Sequence, residues 1–151
     1  MNANQKALGF KQRIVVDARQ IKPSKRIERY FEQARNAAAN SPYGKIRHGA
    51  VLAKGGSVLN VSFNKDNYNS FGNRFRDLDR GHATVHAELG CILGLSRATT
   101  SGSDVYVCRI NREGEFRYSK PCGMCHEALK HVGVKRVYYT TNEGLVEMYK
   151  L

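Results

Sequence analysis

Residues 134–151 read VKRVYYTTNEGLVEMYKL, and how that stretch folds decides the architecture. Two runs rich in Val and Tyr flank Asn-Glu-Gly, a turn signal, so the chain reverses within a few residues and the runs pair antiparallel. No helix fits between them. Working backwards, CGMCHEALKHVG predicts a short helix ended by Gly133, and DVYVCRI, residues 104–110, a buried strand. ATVHAELGCILGL places Val85, Leu89, Ile92 and Leu93 on one helical side, and HGAVLAKGGSVLNVSFN gives two apolar runs around a glycine turn. From Pro23, Ile27, Tyr30, Phe31 and Ala34 recur at helical spacing, with proline near the start. The order is α β β α β α β β: a five-stranded mixed sheet with an antiparallel C-terminal hairpin, covered by three helices. The chain divides into a basic N-terminal arm, residues 1–23, and one domain, 24–151. RIVVDARQI, inside the arm, either pairs as an edge strand or stays free.

At 151 residues the chain is about one domain with one core. No stretch approaches the roughly 18–20 apolar residues of a membrane span, and MNANQKALGFKQRIVV lacks the apolar segment of a secretory signal. The expectation is an intracellular protein, cytoplasmic or nuclear, with no membrane partner. Of the four cysteines, Cys91 and Cys108 sit in apolar runs and read as buried thiols. The net charge is +12, and residues 1–50 hold eleven Lys or Arg against three acids. A basic lobe of that kind suits a polyanion.

The other two cysteines, Cys122 and Cys125, stand three apart behind Pro121, while His86 and Glu88 stand two apart at the head of another expected helix. Zinc takes imidazole nitrogen and thiolate sulfur, and a catalytic zinc keeps three protein ligands and one open position. His86, Cys122 and Cys125 supply three. Thiolates at a helix start are favoured by its free N–H groups. Glu88 is left over, and a carboxylate beside such a metal is placed to take and return a proton. A lone C-x-x-C is weak evidence; H-x-E followed by P-C-x-x-C, each opening a helix with one strand between, is strong. The alternatives are a closed zinc site with His126 or His82 as fourth ligand, or a redox C-x-x-C.

This pattern resembles the cytidine deaminase superfamily over residues 24–151. SPYGKIRHGAVL is similar to the stretch entering the first strand of the free-nucleoside enzymes, and SFNKDN to their N-x-E-N segment. The resemblance implies a three-layer α-β-α sandwich, one Zn2+, ribose contacts at Asn64 and Asp66, and a donated hydrogen bond from the Ala87 N–H to the base. Gly123 and the C-terminal hairpin look like the cytidine deaminase branch; the polynucleotide-acting and dCMP-deaminase relatives instead insert a helix before the last strand. The implied activity is hydrolytic deamination of cytosine to uracil, with adenine the less favoured base.

Three departures bear on the substrate. Free-nucleoside enzymes usually have Cys where this chain has His86, and Lys120 precedes Pro121 where many relatives have Ser or Glu. The third is a long loop, KDNYNSFGNRFRDLDRGHAT, which interleaves Tyr68, Phe71 and Phe75 with Arg74, Arg76 and Arg80. Aromatics that stack bases beside guanidiniums that hold phosphates grip single strands. The leading expectation is therefore a deaminase of single-stranded DNA or RNA. A free cytidine or deoxycytidine deaminase comes second, and as those relatives close their sites with neighbouring subunits it implies a homo-oligomer. The third reading is a zinc-containing nucleic-acid binder without chemistry.

Overall fold

The structure, a computed structural model, describes residues 16–44, 46–68, 71, 74, 75 and 84–151. Its elements are β1 (Arg19–Ile21), α1 (Lys25–Ala38), β2 (Arg47–Lys54), β3 (Ser57–Phe63), β4 (Lys65–Tyr68), β5 (Thr84–Val85), α2 (Ala87–Ile92), α3 (Arg97–Thr100), β6 (Asp104–Ile110), β7 (Phe116–Arg117), α4 (Gly123–His131), β8 (Arg136–Thr140) and β9 (Val146–Lys150). None of the described helices is long and apolar enough to cross a membrane.

The principal sheet runs β1-β9-β8-β6-β2-β3, with β7 also on β6, and β4 pairs β5 in a separate ribbon. Among the described residues only β6 and β8 are parallel, joined through α4; every other pairing there is antiparallel. The sheet is mixed, as expected, and the hairpin β8–β9 turns at Asn142–Gly144 as the sequence indicates. Seven strands rather than five is the correction. The first addition, β1, lies in RIVVDARQI and takes the edge-strand option that stretch offered; β7, with two residues, is too short to show a two-residue period. They form because open edges are at hand: β1 pairs with β9, and β7 takes Arg109 and Ile110 of β6, beyond the point where β8 ends at Val107. Among the described residues a further helix, the single turn α3, is capped by the Ser96 hydroxyl accepting from the Thr99 N–H.

The helices divide between the two faces. Helix α1 starts where the Ser24 hydroxyl accepts from the Ile27 N–H, and buries Tyr30, Phe31, Ala34, Ala37 and Ala38. Tyr30, Phe31, Ala34 and Ala38 pack on Val51, Ala53, Tyr106, Cys108, Ile110 and Tyr138 from one face of the sheet. Gly49 permits the contact: a Cβ there would lie 1.9 Å from the Ala34 carbonyl oxygen. On the opposite face α2 and α4 pack Leu89, Ile92, Met124, Ala128 and Leu129 against Leu52, Val105, Val107, Val137 and Tyr139. Each fully buried aliphatic side chain in these layers contributes roughly 1.5–3 kcal/mol. The result is three layers, α-β-α, with two helix starts facing each other across the end of the sheet.

Candidate active site

Helix α2 begins after β5, which is held to β4 through Lys65 and Val85, so His86 emerges from a braced strand. His86 is the N-cap of α2 and Cys122 the N-cap of α4, both in extended backbone, and neither side chain caps its helix. Both side chains are therefore turned to each other. His86 Nδ1 lies 3.7 Å from Cys122 Sγ and 3.3 Å from Cys125 Sγ. All three donor atoms fall within 4.8 Å of one another, and no fourth His, Cys, Asp or Glu joins them among the described residues. Zinc bonds of about 2.3 Å to sulfur and about 2.0–2.1 Å to nitrogen in a tetrahedron give N–S edges of about 3.5 Å. The observed separations bracket that value, so the donor set fits one zinc ion without rearrangement. The Cys125 thiol donates to Cys122 and, with His86, pulls Cys122 down to about 4, while Cys125 is raised.

Glu88, in the first turn of α2, is 5% exposed. Burial pushes its carboxyl above the ordinary range; His86 pulls it back and Cys122 adds to the push. A cavity of about 470 Å³ opens over His86, Glu88 and Cys122. Its walls are Tyr43, Ile46, His48, Asn64, Lys65, Ser119 and Lys120. Ala87, the first residue of α2, is fully buried beside it, with an N–H that has no acceptor within the helix.

Asn64 lines the cavity, yet its amide also braces the backbone: Oδ1 accepts from the His48 N–H at 2.9 Å and Nδ2 donates to the Ile46 carbonyl at 2.9 Å. It thereby ties the end of β3 to the start of β2. Phe71 and Phe75 pack edge to face at 5.4 Å, lie against His131 and the core, and are half-buried. Arg74 is exposed, its guanidinium 5.8 Å from the Phe71 ring. Arg76, Arg80 and His82, and the side chains of Asp66 and Tyr68, lie outside the described residues. His126 is turned away from the metal donors, its Nδ1 3.4 Å from the Tyr149 hydroxyl and its ring stacked on that tyrosine.

Sequence reasoning missed His48, Lys65 and Lys120 as walls of the cavity. His48 stood in a stretch already singled out, but alternation of side chains along a strand shows only afterwards that it faces the site, opposite to Gly49. Burial, with Arg109 and His86 nearby, pushes His48 down to about 4, so it is neutral at pH 7. Lys65 and Lys120 make no ion pair with a described residue. Their ammonium groups lie 5.1 Å from the Phe63 ring and 5.9 Å from the Tyr149 ring.

Comparison with known proteins adds to this geometry. No curated protein sequence matches the chain. Among solved structures, the dCMP deaminase of cyanophage S-TIM5 superposes with a TM-score of 0.51 at 22% identity, covering 80% of this chain and 86% of that one. RibD from Acinetobacter baumannii gives 0.51 at 19% identity over 78% of this chain but only 28% of its own length. These likenesses establish the fold. The family described as the cytidine and deoxycytidylate deaminase zinc-binding region matches residues 24–141, the span that holds His86, Glu88, Cys122 and Cys125. The chain belongs to that deaminase family.

Proposed function

We propose that this protein hydrolytically deaminates cytosine to uracil in a single-stranded polynucleotide. The observation behind this reading is the cavity: the metal donors and one carboxylate lie at its floor, and its walls bear Lys65, Lys120 and the neutral His48 but no second acid among the described residues. A base enters toward Glu88 while the phosphates beside it meet cationic walls. The net charge of +12 supports a polyanionic substrate.

His86, Cys122 and Cys125 would hold the zinc ion, which when bound would supply a water acidified to a pKa of about 7. Glu88 takes a proton from the attacking water and delivers protons to the ring nitrogen N3 and to the departing amine. Water adds at C4 and ammonia leaves, so the balance is cytosine plus water to uracil plus ammonia. The Ala87 N–H donates to the carbonyl oxygen of the base, holding it in register with Glu88. Asn64 orients the sugar through the amide hydrogen and lone pair left over from its backbone bonds, and exposed Arg74 meets the strand outside.

A second reading, deamination of free cytidine or deoxycytidine, is favoured by the packing of half-buried Phe71 and Phe75 against the core, which takes two stacking aromatics away from a strand. The test is deamination by zinc-loaded protein on cytidine, dCMP, and cytosine-containing single-stranded DNA and RNA, with Glu88→Ala as control. Uracil formed in an oligonucleotide and absent in the control supports the polynucleotide reading. Product from monomers alone establishes the second. Binding that weakens steeply between about 50 and 200 mM salt, with no product from any substrate, overturns both in favour of a binder without chemistry.

A further inference from the structure

Residues 116–120, FRYSK, connect β7 to the metal ligand Cys122, and the surrounding sheet fixes how they are displayed. Ser119 is 4% exposed and is held from three sides: its hydroxyl donates to the Val107 carbonyl at 2.9 Å, its N–H to the Thr140 carbonyl at 3.0 Å, and the Thr140 N–H donates to its hydroxyl at 2.8 Å. The Thr140 hydroxyl donates to the Arg117 carbonyl at 2.6 Å, and the Tyr118 N–H to Asn142 Oδ1 at 2.9 Å. So pinned, the segment turns Lys120 into the cavity and Tyr118 outward. Tyr118 is 47% exposed, with its ring edge-on to Tyr139 at 6.1 Å. An aromatic ring that is both exposed and held by its backbone loses little freedom when something flat stacks on it.

The neighbouring charge has the same orientation. His48 pairs with Arg109 across β2 and β6, and Arg109 with Arg117 across β6 and β7. Directly paired residues point to one face. His48 faces the cavity, so both guanidiniums stand on the cavity side of the sheet. Arg109 Nε is buried without a hydrogen-bond partner among the described residues. Arg117 donates to the Asn142 carbonyl and lies 3.8 Å from Glu115, whose acid marks the outer limit of the basic row.

We propose that Arg109, Arg117, Tyr118 and Lys120 form the path of the substrate strand beside the target cytosine, Tyr118 stacking on a flanking base and the cations meeting its phosphates. This rests on the polynucleotide reading above, and moves the grip from the 65–81 loop to the β6–β7 side. Tyr118 is four residues from Cys122, at most about 14 Å along an extended chain, which is the reach of a neighbouring nucleotide.

The experiment measures anisotropy of short fluorescein-labelled single-stranded DNA and RNA, each with one cytosine, on zinc-loaded wild type, Tyr118→Ala, Tyr118→Phe, and Val58→Ala on the far edge strand. Tyr118→Ala weakens binding by about 5- to 150-fold, and Tyr118→Phe retains it. In parallel, a photoreactive 5-bromouracil placed beside the cytosine crosslinks to the peptide containing Tyr118, a result that needs no variant to fold. Wild-type binding in Tyr118→Ala, or crosslinks confined to the peptide holding Phe71 and Phe75, overturns the path while leaving strand deamination intact. Wild-type protein that neither binds nor deaminates either strand removes the polynucleotide reading and the path together.

Discussion

Cys125 and His86 are 39 residues apart in the chain and belong to different helices, yet Sγ and Nδ1 lie 3.3 Å apart. That closeness couples metal to fold. A ligand at about 1,000 times its dissociation constant adds about 4 kcal/mol to a folded state that alone binds it. For a domain of this size each 1 kcal/mol shifts Tm by about 2–4 °C. Chelation should therefore lower Tm by about 10 °C, and Cys125→Ala should abolish zinc binding and show no further change on chelation; calorimetry with metal analysis checks both.

Glu88 is the group whose loss should separate chemistry from metal. Glu88→Gln keeps shape and burial, so zinc content should stay near one per chain while turnover falls by at least about 10²-fold on every substrate. Elemental analysis beside the deamination assay decides it; a zinc-free Glu88→Gln protein would make Glu88 a ligand.

Thiol reactivity should report two classes of cysteine. Burial pushes Cys108 up to about 12 and Cys91 further still, so both stay protonated and sheltered near pH 8. Cys122, exposed and held low, reacts once its metal is gone, while Cys125 is buried and raised like the other two. Ellman's reagent should find no thiol in zinc-loaded protein, one after chelation and four after denaturation.

The same burial sets an alkaline limb. The Cys108 thiol rises from 9.0 to about 12, and Tyr106, stacked on Tyr138 at 4.6 Å, is also raised by burial. A raised folded pKa means that the unfolded chain releases its proton first as pH climbs. Stability from these groups is complete below pH 9 and is lost between about 9 and 12. Urea midpoints of chelated protein should hold steady to pH 9 and fall beyond it.

Gly49→Ala tests the packing of α1. Its new Cβ would meet the Ala34 carbonyl oxygen at 1.9 Å and the Ala38 nitrogen at 2.8 Å, both backbone atoms of a helix that cannot yield locally. Overpacking of this kind costs about 1–3 kcal/mol or more. The expected outcome is a Tm lower by about 2–12 °C, read by circular dichroism.

Much of this was legible in residue order. The α1 stripe, the glycine turns, DVYVCRI and the closing hairpin show in periodicity because each is long enough to repeat its pattern. His86, Cys122 and Cys125 were legible because a metal demands particular atoms, and helix starts deliver them together. What did not show are features that depend on a neighbour. β7 exists only because β8 stops at Val107 and leaves Arg109 and Ile110 of β6 unpaired on that side. His48 looked like an ordinary surface residue until the sheet register turned it to the cavity, and Lys120, noted only for its place before Pro121, is brought there by the Ser119 clamp. Phe71 and Phe75 sat in a polar loop that suggested stacking, but their contacts with His131 and the core are tertiary and leave no local trace.

The Ser119 clamp has a consequence for how such a protein diversifies. Upstream of it lies a hairpin whose turn, Asn111–Gly114, projects past the end of β8; downstream, three residues on, is Cys122. Because Ser119 is tied to Val107 and Thr140, residues can be added to or removed from the hairpin without displacing the metal ligand. On the strand path proposed above, the surface that meets the substrate can thereby vary in length and composition while the metal ligand stays fixed in place.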